Sequence, residues 1–315
     1  MFMSEPVSPL IRWRYRRRSL LAMGLLLLML LAGCGVGTGQ RVASATATSA
    51  SSGTSLNLAP QPTLPGNPTP FATPTVKVPT SANLAPATLP PGATLPSEAQ
   101  CAASVKRAAF EPRPNNSQAN HAVPTSQQIA DLTPWDAKMG QDPRADALRK
   151  QISGNFTGTT DEILQWVACK WGVQPNLVRA EAVVESTWQQ SQRGDYTSDQ
   201  TLCPPGTWDG KGCYQSYGIL QLKYVYFKST WPMSQTDTAF NAEYVYGTIR
   251  ACYEGWTTYL KERTPLPGYP RYHAGDIWGC LGRWYSGGWY DQGAVDYISK
   301  VKATLAGKAW LQAGF

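Results

Sequence analysis

The chain has 315 residues, of which 42% are hydrophobic, 11% aromatic and only 16% charged, and its 28 glycines follow no three-residue period, which excludes collagen-like and other fibrous classes. Its formal charge of +7 is mostly a property of the first 33 residues, where Arg12, Arg14, Arg16, Arg17 and Arg18 face one acid, Glu5; beyond residue 100 stand 21 bases and 19 acids, so no nucleic-acid partner is expected. With His121 and His273 its two histidines, a multi-histidine metal site is excluded, and neither metal nor cofactor is expected.

Residues 1–33 read as an export signal. The arginine-rich front is followed by an apolar run of 14 residues, Leu20 to Gly33, too short for a comfortable membrane span and suited to a signal-peptide core. The run ends in Leu31-Ala32-Gly33-Cys34, which resembles the lipobox of bacterial lipoproteins. That resemblance implies a diacylglyceryl chain on the Cys34 sulfur, cleavage before it, and an extracytoplasmic cell-envelope protein held to a membrane by its lipid.

Residues 34–100 form a Thr/Ser/Ala/Pro-rich segment with eleven prolines and three charges, Arg41, Lys77 and Glu98. Such a stretch buries too little apolar surface to offset its ordering entropy and is expected to be a disordered tether, about 200 Å long if fully extended. The folded part is expected over 101–315, with eleven of the twelve tryptophans. Within it, 101–150 is broken by Pro112, Pro114, Pro124 and Pro134 and should wrap over the rest as an N-terminal extension.

Six cysteines follow Cys34: Cys101, Cys169, Cys203, Cys213, Cys252 and Cys280. An even number in an exported chain reads as disulfides. Cys203 and Cys213 flank turn-forming residues and are expected to pair; the partners of the other four stay open.

Helical signals dominate after residue 158. Thr159 and Glu162 form a capping box ahead of Ile163, Leu164, Val167 and Cys169, and Gly172 marks the stop. Pro175 opens a second helix reaching about Trp188. Residues 190–215 are rich in turn formers and read as a loop or small hairpin insert. Further helices are predicted over 219–228, 237–261, 275–285 and 291–306. The class is mainly α with a small irregular or β insert.

On the second helix Leu177, Val184 and Trp188 share one sector, Val178 and Ala182 lie across the same stripe, and Glu185 points between them. A carboxylate there loses hydration, which raises its pKa and favours the neutral acid needed to protonate a glycosidic oxygen. The plainer alternative is a glutamate at the stripe's edge reaching water. Glu181, one turn earlier, is expected to be solvated or paired with a base.

The stretch from Gly172 to Ser186, Gly-Val-Gln-Pro-Asn-Leu-Val-Arg-Ala-Glu-Ala-Val-Val-Glu-Ser, resembles the opening of a soluble lytic transglycosylase domain of the lysozyme-like superfamily. Gly218-Ile219-Leu220-Gln221 and Trp284-Tyr285-Ser286-Gly287-Gly288 resemble its second and third motifs, and Asn241 to Arg250 is similar to its buried helix. Over roughly 160–290 the resemblance implies a lysozyme-like helical fold and cleavage of peptidoglycan glycan strands by a single acid/base, Glu185, leaving 1,6-anhydromuramic ends. It further implies that Gln221 binds substrate or orients the acid, that Gly218 lets backbone approach the sugar, and that Tyr285 holds the Glu185 carboxyl. Ser216, Tyr217 and Ser286 fall within or beside the same motifs, and Trp188 is one of the tryptophans that could offer a face to a sugar ring.

The insert between Glu185 and Gln221 is longer than the family's usual spacing. Asp195 or Asp199 in it could be a second carboxylate that positions water, giving hydrolysis instead; the plainer reading of both, and of Asp209, is turn chemistry. A non-catalytic wall-binding lipoprotein is the other alternative. A serine hydrolase lacks its G-x-S-x-G motif here, and paired thiols disfavour a Cys-His protease.

Overall fold

In the computed structural model, which describes residues 87–315, short helices wrap a helical core and one small sheet. The first four helices, α1 (Glu98–Ser104), α2 (Ser117–Asn120), α3 (Ser126–Ala130) and α4 (Ala145–Arg149), are brief turns in an irregular wrap. Then come α5 (Thr160–Lys170), α6 (Pro175–Ser186), strands β1 (Arg193–Gly194), β2 (Ser216–Tyr217) and β3 (Leu222–Lys223), and helices α7 (Met233–Thr236), α8 (Thr238–Tyr253), α9 (Ile277–Ser286) and α10 (Gln292–Gly307). The class is mainly α with a small antiparallel sheet. The expected export signal, Cys34 and the tether up to residue 86 lie outside the described residues.

Local chemistry explains the first long hairpin. Thr159 accepts from the Glu162 amide while Glu162 reaches back to the Thr159 amide, closing the capping box of α5. The helix stops at Gly172, whose φ of +61° suits glycine and whose missing Cβ leaves room for Leu89. Pro175 then occupies the first turn of α6, where its absent N–H costs nothing.

Every residue of α8 is buried, so this helix is the axis of the core, packed by α4, α5, α7 and α9. Its charges are paired rather than solvated. Glu243 meets Lys170 of α5 and accepts from the Gly154 amide; Arg250 meets Glu254 and donates to the Leu89 and Pro90 carbonyls. α10 packs across α6 and α9 and closes one side.

Those same charges correct the expected boundary at residue 101. Residues 87–100 pack on the folded part: the Leu89 amide donates to the Gly172 carbonyl, the Gly92 amide to Glu254, and Glu98 pairs with Lys170. Composition missed this because the anchoring groups are mostly backbone atoms, which every residue carries. The extension over 101–150 contributes core as well as cover, with Trp135 buried and its indole N–H donating to the Tyr244 hydroxyl.

The insert forms a sheet of order β1-β2-β3, antiparallel throughout, with Gly194 opposite Ser216 and Ser216 opposite Lys223. Cys203 and Cys213 are bonded, as expected; the open partners resolve as Cys101–Cys169, which ties the extension to α5, and Cys252–Cys280, which ties α8 to α9. The helix predicted over 219–228 is absent. There the Ile219 and Leu220 amides are taken by the side chains of Gln190 and Asn241, and the chain turns at Gly218 and Gln221, both with positive φ, into β3. The helix predicted over 237–261 ends at Tyr253, and Thr258–Glu262 is a separate 3-10 turn. Among the described residues no helix is long and apolar enough to cross a membrane.

Candidate active site

Helix α6 ends abruptly. Thr187 and Trp188 both adopt left-handed backbone, with φ of +53° and +64°, so the chain leaves the helix one residue after Glu185-Ser186. Such conformations cost free energy in non-glycine residues and persist where surroundings hold them. Here Arg113 donates to the Thr187 carbonyl at 2.7 Å, Asn116 to the Trp188 carbonyl at 2.7 Å, and the Ser186 hydroxyl bonds the Ile219 carbonyl at 2.8 Å. The last contact places the end of α6 against the Gly218–Gln221 turn.

Glu185 is only partly exposed, and the Tyr297 hydroxyl of α10 lies 2.5 Å from its Oε1. Burial pushes its pKa up to about 7 against the hydrogen bond from Tyr297, with negative Asp195 adding to the rise. Glu181, one turn earlier, departs from expectation. It is 0% exposed, bonded to no base among the described residues, 3.2 Å from the same Tyr297 hydroxyl and beside Tyr246 of α8. Burial raises it to about 8, opposed by the two tyrosines and reinforced by Glu185. Its spacing had the answer: Leu177, Glu181 and Glu185 follow at four-residue steps, which puts both acids on the face packed against α10.

Asp195 follows β1 with φ of +56°, and its Oδ2 accepts from the Ser216 hydroxyl at 2.6 Å and from Lys223 at 2.9 Å. Burial works to raise its pKa, but those two partners outweigh it and leave the carboxyl below its usual range. Asp199 instead caps a 3-10 turn through Thr201, and Asp209 accepts from the Lys211 and Gly212 amides; both are exposed and serve as turn residues.

The turn after β2 is held from within. Asn241 accepts from the Leu220 amide at 2.9 Å and donates to the Tyr217 and Ser234 carbonyls, while Gln190 accepts from the Ile219 amide. This corrects the role expected of Gly218. Its φ is +85°, and a Cβ there would strike the Asn241 amide and the Ser234 carbonyl, so the glycine makes room for buried protein. Gln221 sits at the mouth of the turn with its amide donating to the Gly218 carbonyl at 2.7 Å.

Three further expectations change. The hydroxyl on Glu185 belongs to Tyr297; Tyr285, 49% exposed, stacks on the Tyr297 ring at 4.6 Å. Trp188 is 2% exposed, edge-on to Phe315, with its N–H given to the Arg179 carbonyl, so it is core and offers no sugar face. Tyr217 is likewise buried against Trp231, its hydroxyl donating to the Tyr214 carbonyl. Ser286 closes α9 and accepts from the Gly288 amide.

Tyr297 had no motif to announce it. The available signal was a tyrosine on the apolar face of α10, among Ala294, Ile298 and Val301, since a phenol buried there needs a polar partner. Together the arrangement can hold a carboxylic acid neutral near pH 7 beside an ionised carboxylate, within a part-open site. Compared with known proteins, the chain matches no family, no curated protein and no solved structure.

Proposed function

We propose that this chain cleaves the glycan strands of peptidoglycan as a lysozyme-like muramidase, with Glu185 as general acid and then base, and that a lipid on Cys34 holds it to a membrane outside the cytoplasm. The observation that carries the reading is the Glu185 carboxyl: part-open, gripped on one oxygen by Tyr297, and raised to about 7. Three disulfides among the described residues suit an oxidising compartment.

In the proposed reaction the Glu185 proton goes to the glycosidic oxygen as the C1–O bond breaks. Tyr297 donates to the carboxylate that results. A sugar hydroxyl of the same residue then attacks C1 and returns its proton to Glu185, leaving a 1,6-anhydro end; one carboxyl suffices because the nucleophile is already in place. Asp195 favours hydrolysis as a second reading. It is ionised, electrostatically coupled to Glu185, and held by Ser216 and Lys223, and two carboxyls pushed apart in pKa are the pattern of an acid working with an anionic partner.

Incubating the full chain with purified peptidoglycan should release soluble muropeptides, and Glu185→Gln should lower the rate on the order of 10²- to 10⁴-fold with the fold intact. Equal release by both proteins would overturn the reading. Anhydro ends by mass spectrometry point to transglycosylation, reducing ends to hydrolysis with Asp195.

A further inference from the structure

Tyr297 stands between two carboxyls but has one proton to give. Its hydroxyl is 2.5 Å from Glu185 Oε1 and 3.2 Å from Glu181 Oε1. The other groups facing this pair are Tyr246 from α8 and Asp195 from the loop after β1; among the described residues no lysine, arginine or histidine is bonded to either glutamate. The remaining oxygen of Glu181, Oε2, and the Tyr246 hydroxyl are both buried without a closed hydrogen bond among the described residues, though Tyr246 lies beside the Glu181 carboxyl. Tyr246 and Tyr297 offset the burial of Glu181 only in part, so an ionised carboxylate is poorly compensated there, whereas a neutral acid loses far less.

We propose that Glu181 is a positioning residue which, through Tyr297, decides which oxygen of Glu185 carries the reactive proton. The proposal rests on Glu185 being the acid of the preceding section. When Glu181 is neutral, its O–H donates to the Tyr297 oxygen and Tyr297 donates to Glu185 Oε1. The Glu185 proton then sits on Oε2, the oxygen not engaged by Tyr297, and is available to substrate. After Glu185 gives that proton away, the same Tyr297 bond stabilises the carboxylate, and no proton need leave Glu181. When Glu181 is ionised it becomes the stronger acceptor and draws the Tyr297 proton to itself. Glu185 must then turn its own proton onto Oε1, towards the Tyr297 oxygen and into the interior. The burial that raises both acids keeps the productive arrangement populated around neutrality.

The test uses the full chain with glutamate carboxyls labelled with ¹³C, titrated by NMR from about pH 4 to 10, a range that brackets both groups. In the wild type the Glu185 and Glu181 signals should each move in two shared steps. In Glu181→Gln, Glu185 should titrate in one step; in Tyr297→Phe the coupling between the two signals should shrink to the direct charge repulsion of the carboxyls. On peptidoglycan, Glu181→Gln keeps an N–H for Tyr297 and should hold kcat within about threefold while losing the upper-pH step. Glu181→Leu, with no donor, and Tyr297→Phe should each lower kcat by about tenfold or more with KM little changed. The proposal is overturned if Glu185 titrates identically in the wild type and Glu181→Gln, or if Glu181→Gln and Glu181→Leu share one pH profile. Coupled signals without any glycan cleavage would instead reject the function and leave the proton sharing; cleavage that needs Glu185 with uncoupled signals would reject the gate alone.

Discussion

Asn241 concentrates at one residue what holds the site together. Its amide satisfies the Leu220 N–H and the Tyr217 and Ser234 carbonyls, all buried, so truncation strands several polar groups at once. Asn241→Ala should therefore cost roughly 2–4 kcal/mol by urea unfolding, and it should depress activity by loosening the turn that abuts Ser186. A loss below about 0.5 kcal/mol would mean the turn holds without it. Glu185 could be read from its place in a recognisable run of residues. Tyr297 could not, because its only relation to Glu185 is spatial, across 112 residues of chain. Trp188 shows the reverse error: a large aromatic next to Glu185-Ser186 reads as a sugar platform, yet two left-handed residues turn it inward.

At the scale of elements, what local rules govern was legible and what side chains override was not. The capping box of α5, its stop at Gly172 and the proline start of α6 each depend on neighbours within four residues. Thr159→Ala should lower stability by about 1 kcal/mol without moving the pH profile of the proposed activity, as thermal melts and peptidoglycan-release assays can check. The run at 219–228 reads as helical from its apolar residues, among them Ile219, Leu220 and Leu222, and a short apolar run alone does not distinguish a helix from a pinned turn. The deciding partners, Gln190 and Asn241, come from other segments.

For the whole molecule, the buried acids set how stability responds to pH. Glu181 is raised to about 8, and Glu185 and Asp237 to about 7, each chiefly by burial. Between about pH 4.5 and 8 the folded protein therefore holds protons that the unfolded chain has released, and stability falls as pH rises. Asp146 moves the other way: the Arg149 hydrogen bond holds it down at about 2, and that contribution is lost as pH falls towards that value. The melting temperature should peak near about pH 4–5 and drop by more than about 5 °C on going to pH 8. Glu181→Gln should flatten that decline, and a melting temperature that climbs towards pH 8 would contradict the assignment of these groups as neutral acids.

The amino-acid sequence by itself determined the mainly helical class, the caps and stops of α5 and α6, the Cys203–Cys213 bridge and the prominence of Glu185, because each is encoded in periodicity, turn chemistry or a short run of neighbours. Tertiary structure alone decided that residues 87–100 belong to the folded part, that Glu181 is enclosed, and that Tyr297 hydrogen-bonds Glu185. Those outcomes depend on which distant groups a buried polar atom finds, and a hydrogen bond across the core leaves no mark on the spacing of the residues that make it.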